Sequence, residues 1–250
     1  MKKLPFITVL LCLANVLDAQ VQNGITFTSE RPLHLITAKL VDKLTGRPAS
    51  GIRSYVSVPG NKFEFRTALS DSDGTLRFFL QNIYKTRPII FQTDWRTDSI
   101  YRFEIPDPFA GIKYSQENDK DSLAFFGRPD KRYMLDDYTR FPTLEEVLIE
   151  YVPEVKVKKT RGHYSLQVMN IPYKSFFGEL PVVFIDGVPV FNLDAFMAID
   201  PLKIKKLEVV ARKYYYGSLT WSGIVSFSSY DADLAGYSLY DNAVVKEYHK

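Results

Sequence analysis

Residues 181–230, PVVFIDGVPVFNLDAFMAIDPLKIKKLEVVARKYYYGSLTWSGIVSFSSY, hold the densest run of strand and turn signals in the chain. Val182-Val183-Phe184-Ile185 is β-branched and aromatic throughout, the chemistry of a strand buried on both faces. Asp186-Gly187 follows, a pair that tolerates positive φ, and predicts a tight turn into Val188-Pro189-Val190. Residues 193–199 read as a short helix closed at Asp200-Pro201, because proline disfavours helical geometry in the residue before it. Residues 204–210 are strand-like. After the break at Tyr214-Tyr215-Tyr216-Gly217, Gly223 precedes residues 224–229 (IVSFSS), whose alternation predicts a strand with one polar face.

The order of these pieces resembles the plug domain of TonB-dependent outer-membrane receptors. The resemblance is carried by Ile185-Asp186-Gly187-Val188-Pro189-Val190, by Asp200-Pro201, by the strand from Ile204 to Val210, by Tyr216-Gly217 and by Gly223-Ile224-Val225. Arg212-Lys213-Tyr214-Tyr215 stands where the family usually has a small, alanine-rich segment. In that family the plug continues into a barrel whose strands need about 9–11 residues each, in sets of about eight or more. Residues 231–250 are too few for that, so the expectation is a plug-like domain without its pore, and transport is not carried over.

Upstream, residues 34–41, 55–58, 63–69, 75–80, 89–93 and 100–105 read as strands separated by turn residues such as Pro59-Gly60-Asn61 and Asp71-Ser72-Asp73-Gly74. This predicts an antiparallel β-sandwich over 33–108. The segments KLVDKLTGRP and SDSDGTLRF are similar to those of macroglobulin-type and carboxypeptidase-regulatory-type modules, Ig-like spacers and docking surfaces. Residues 109–131 mix Pro, Gly and charges and read as a linker, with Leu123-Ala124-Phe125-Phe126 available to pack on a neighbour. The second domain is expected over 132–230. Thr143 and Glu146 match a capping box, Leu144, Val147, Leu148, Tyr151 and Val152 share a helical face, and Pro153 stops the helix. Residues 155–158 and 164–169 flank Thr160-Arg161-Gly162 as a hairpin, and residues 231–250 read as a tail. The expected fold class is therefore mixed, an N-terminal antiparallel β-sandwich plus a C-terminal α+β plug-like domain, the two folding independently across a sparse linker.

Residues 1–19 carry Lys2-Lys3, an apolar run and a small residue at Ala19, the pattern of a cleaved signal peptide, with 20–32 as a polar leader. Removing Lys2, Lys3 and Asp18 takes the basic and acidic counts from 32 and 29 to 30 and 28, a balance that does not point to nucleic acid. Cys12 is the only cysteine, so the processed chain is expected to have no disulfide, thiolate nucleophile or thiolate ligand. The run is too short for a membrane span, and basic outward positions such as Lys156, Lys158, Lys205 and Lys206 do not suit a lipid face. The expected place is the periplasm or the periphery of the outer membrane.

No catalytic constellation emerges. His34, His163 and His249 are scattered and form no metal-spaced pair, so no metal or cofactor is expected. Asp71 and Asp73 belong to a turn followed by apolar residues where a calcium loop needs oxygen ligands. Asp136, Asp137, Glu145, Glu146 and Glu150 suit a helix start. Lys156, Lys158, Lys159 and Arg161 suit the wet face of a hairpin, and Ser218 and Ser222 lack the G-x-S-x-G elbow. The candidate binding residues are the turn Asp186, Gly187, Val188 and Pro189, and the aromatics Tyr214, Tyr215, Tyr216 and Trp221, which suit either an adhesive surface or core packing. The reading is a non-enzymatic envelope protein that docks a protein partner, an outer-membrane protein among the candidates. An envelope hydrolase and a remnant of a longer plug-containing protein are the alternatives.

Overall fold

Strand β1 (His34–Asp42) pairs antiparallel with β4 (Thr75–Leu80) on one side and β6 (Tyr101–Glu104) on the other. Strand β2 (Arg53–Val58) lies between β3 (Glu64–Leu69) and β5 (Ile89–Thr93) in a second antiparallel sheet, with β17 (Val244–Lys246) outside β5. The period-two pattern decides which residues go inward: Leu76, Phe78 and Leu80 of β4 are buried, while Phe79 between them is 52% exposed. They join Ile36, Ala38 and Leu40 of β1, Phe103 of β6, Val56 and Val58 of β2, and Ile89 and Phe91 of β5 in one core. Each of these side chains larger than alanine, fully buried, contributes about 1.5–3 kcal/mol. The computed structural model describes residues 33–60, 63–81, 83–93, 100–114, 124–239 and 243–248. The expected signal peptide with Cys12, the leader, Leu123 and His249 lie outside the described residues.

The largest sheet has the order β12 (Val188–Pro189), β11 (Val182–Ile185), β16 (Ile224–Ser229), β13 (Ile204–Val210) and β7 (Lys131–Met134). The β11–β16 pair is parallel and the other three are antiparallel. One face carries Val183, Ile185, Leu207, Val209, Val225 and Phe227. It packs on helix α1 (Leu144–Tyr151), on the hairpin of β8 (Val155–Thr160) and β9 (His163–Asn170), and on Phe196 of α2 (Leu193–Met197). The capping box starts α1: the Glu146 amide donates to Thr143 Oγ1 at 3.2 Å, and the Thr143 amide donates to Glu146 Oε2 at 3.2 Å.

The opposite face of this sheet presents Phe184, Val210 and Ile224, and these meet Tyr55 of β2 with Phe63 and Phe65 of and beside β3. Strand β2 is thus buried on both faces, Val56 and Val58 in one core and Tyr55 in the other. The fold is β-rich, built of several antiparallel sheets with little helix.

Two segments are tied in more closely than a linker and a tail suggest. Phe125 and Phe126, available in the sequence to pack on a neighbour, enter the aromatic core between the halves; Phe125 lies 5.2 Å from Phe65, 5.4 Å from Phe184 and 5.1 Å from Tyr216, ring centre to ring centre. The tail does not trail away, because β17 pairs with β5 through Val244, Val245 and Lys246, and Tyr248 packs edge-on against Phe109.

Candidate functional site

The Asp186-Gly187 turn is structural to its atoms. Both residues have positive φ, +50° and +84°, which places the pair in the mirror-image turn that suits the twist of a two-residue hairpin. The Asp186 carboxylate is 2% exposed and accepts from the Ser229 amide and hydroxyl, each at 2.7 Å, and from the Leu234 amide at 2.9 Å. Burial pushes its carboxyl above the usual range, and those three donors oppose the push. Val188 is wholly buried, so of the four turn residues only Pro189 borders open space.

The tyrosine stretch, expected as a break, is a hairpin of β14 (Tyr214–Tyr216) and β15 (Leu219–Trp221). Its alternation sorts the aromatics. Tyr214 and Tyr216 stack on Trp221, at 6.1 and 5.8 Å with interplanar angles of 9° and 13°, while Tyr215 points away and is 71% exposed. The Tyr216 hydroxyl donates to the Phe65 carbonyl at 2.7 Å and the Tyr214 hydroxyl to the Phe125 carbonyl at 3.0 Å. Tyr216 and Trp221 therefore join the two halves through Phe65, and Tyr214 holds Phe125 of the segment between them.

A groove of about 670 Å³ opens beside this junction. Its walls are residues 163–166 of β9, residues 180–183 leading into β11, and residues 189–194 from β12 to the start of α2; Tyr55, Phe65 and Trp221 complete it. Its size falls within the range of about 300–1,000 Å³ typical of ligand sites, and its lining is mainly apolar with a few polar groups. Of the residues predicted for binding, Pro189 and Trp221 line it, and the others do not.

The polar end of the groove is one that sequence reasoning missed. Asp194 Oδ1 accepts from the Tyr164 amide at 2.7 Å, and Asp194 Oδ2 lies 2.7 Å from His163 Nδ1. The Tyr164 amide, then His163, hold the Asp194 carboxyl below its ordinary value of 3.8. His163 and Asp194 stand 31 residues apart, and only the placement of α2 across β9 brings them together. The His163 side chain is 79% exposed, and among the described residues no hydroxyl or thiol hydrogen-bonds to it.

Several of the other carboxylates are tied to neighbours. Asp136 bonds Arg140 and the Tyr230 hydroxyl, Glu208 accepts from Arg132 at 2.7 Å, and Asp71 caps the Thr75 amide at 2.8 Å and pairs with Arg77. Among the described residues no three His, Cys, Asp or Glu side chains are grouped to hold a metal ion, and no helix is long and apolar enough to cross a membrane. Compared with family models, with curated proteins and with solved structures, the chain finds no match.

Proposed function

We propose that this chain is a non-catalytic docking protein of the bacterial envelope, a β-sandwich joined to a plug-like α+β domain, and that the groove beside their junction receives a protein partner. The observation that carries the reading is the groove itself: an apolar concavity of about 670 Å³ assembled from β9, the approach to β11 and the start of α2, with Trp221, Phe65 and Tyr55 completing it. Supporting the plug-like reading is the succession strand, Asp-Gly turn, strand, short helix, Asp-Pro, strand and final strand over β11, β12, α2, β13 and β16. Supporting docking over hydrolysis is the grouping of carboxylates: the groove holds Asp194 alone of them, and that side chain is already engaged by Tyr164 and His163.

Leu180 is the natural handle for a test, since it lines the groove while 63% exposed and its replacement leaves the cores intact. Affinity capture from intact, crosslinked cells should recover a defined envelope protein with the unmodified chain and lose it with Leu180→Asp. Equal recovery with both would leave the groove without a docking role.

A further inference from the structure

The sheet of β10 (Ser175–Phe176), β9 and β8 has one face in the core and one turned outward, and register sorts its side chains between them. Val155 pairs with Val168 and Val157 with Leu166, and these join the core beneath α1. Lys156 pairs with Gln167, Lys158 with Ser165 and Phe176 with Met169, so the period of two puts these on the other face. Lys156 and Lys158 are exposed there, and Phe176 is 37% exposed. The Lys156 ammonium stands over the Phe176 ring, 5.7 Å from its centre, so charge and apolar surface lie side by side.

Charge on this sheet has one sign. Residues 155–176 hold Lys156, Lys158, Lys159, Arg161 and Lys174 and no Asp or Glu. Lys159 turns to the Tyr164 hydroxyl at 3.1 Å, which in turn meets Glu145. Among the described residues no carboxylate pairs with Lys156, Lys158, Arg161 or Lys174. At one end of the face, the turn from β9 into β10 leaves apolar groups in water: Ile171 is 38% exposed and Tyr173 77%, with Lys174 beside them.

We propose that this face seats on a bilayer surface of anionic phosphate headgroups. Lys156, Lys158, Arg161 and Lys174 meet the phosphates, while Ile171, Tyr173 and Phe176 enter the boundary between headgroups and acyl chains. This face is not the groove, and the proposal is independent of the docking reading. The mixture of groups selects the occupant. A free polyanion or an acidic protein segment would take up the cations and leave the exposed apolar side chains in water. A nucleic acid would stack bases on aromatic rings, but Lys156 already stands over Phe176. The lysines forbid burial among acyl chains, yet they suit the headgroup layer just above, the level that a tyrosine with one apolar and one polar end also prefers.

The test is cosedimentation of the processed chain, from Gln20, with vesicles of phosphatidylcholine alone and of phosphatidylcholine and phosphatidylglycerol in equal parts. Each basic residue near an anionic surface is worth about fivefold, so binding should be confined to the anionic vesicles and fall at least about twentyfold in Lys156→Glu/Lys158→Glu. Lys43→Glu/Lys113→Glu makes the same change in net charge at exposed positions of the other half, and should bind within about twofold of the unmodified chain. Tyr173→Ser should weaken binding severalfold without altering its salt dependence, because it removes apolar area and no charge. All these positions are exposed, and matching urea midpoints check that folding is unchanged. Equal binding to both kinds of vesicle, equal losses in the two charge-reversed pairs, no effect of Tyr173→Ser, or no binding to either vesicle overturns the proposal. Tighter binding of polyglutamate or of a single-stranded oligonucleotide than of anionic vesicles overturns it in favour of a polyanion.

Discussion

Gly187 sits directly on the ring of Phe63: a side-chain carbon built on Gly187 would lie 2.1 Å from Phe63 Cγ. The turn most prominent in the sequence is thus the seat on which the N-terminal half rests. Gly187→Ala meets both this clash and a φ of +84°, and should destabilise the protein by roughly 2–4 kcal/mol in urea unfolding. Phe63→Ala clears the space, so Gly187→Ala should cost appreciably less in that background. Equal costs in both backgrounds would mean that the two residues do not touch.

The aromatic junction should make the two halves unfold as one cooperative unit. Phe65 is fully buried with Phe184, Phe125, Tyr216 and Trp221 within 5.0–6.0 Å. Phe65→Ala should cost about 3–5 kcal/mol and lower the stability of both halves together. In a Trp95→Phe chain, whose one remaining tryptophan is Trp221, fluorescence and hydrogen exchange of β1 should report the same transition; a β1 that stays protected after Trp221 is exposed would contradict this.

Much of this was legible in the residues. The capping box at Thr143 and Glu146, the turns at Asp186-Gly187 and Arg161-Gly162, and the alternation of β1 and β4 are local signals, and each appears where its chemistry placed it. Strand β16 forms where expected, but not with one wet face: it lies in the middle of its sheet, and Ser226 is as fully buried as Val225 and Phe227. What was not legible depends on distant partners. Lys131–Met134 has no alternation of its own and becomes β7 only by pairing with Glu208 and its neighbours in β13. That Phe125 and Phe126 could pack on a neighbour is legible, but that the neighbours are Phe65 and Phe184 is not. The groove is legible least of all, since β9, Leu180 and α2 are far apart in sequence and no motif spans them.

Asp186 gives the stability a pH dependence whose sign is fixed by burial. Its folded value lies above the ordinary 3.8, so the native state holds the proton to higher pH than the unfolded chain. The stability from this group is complete below the unfolded value and is lost as pH rises through the folded one. Asp186→Asn should flatten that fall, and should cost roughly 1–3 kcal/mol at neutral pH because an amide nitrogen in place of Oδ2 cannot accept from the Ser229 hydroxyl or the Leu234 amide. Urea midpoints at a series of pH values for both proteins check it.

Asp194 works in the opposite sense. Its folded value is below 3.8, so its hold on the Tyr164 amide and His163 is complete above that value and is lost as pH falls through the lower, folded one. Asp194→Asn should remove this acid-side loss and loosen the α2 end of the groove, read as faster exchange of the Tyr164 amide. Unchanged exchange there would show that the carboxylate does not set the groove's end.

The most direct measurement of docking is a photo-crosslinking residue placed at Leu180, at the groove, and separately at Leu44, which is 94% exposed in a loop away from it. In intact cells the account predicts one discrete crosslinked protein from position 180, none from position 44, and loss of the product when Trp221→Ala is combined with the position-180 probe. No product from position 180, or the same products from both positions, would contradict it.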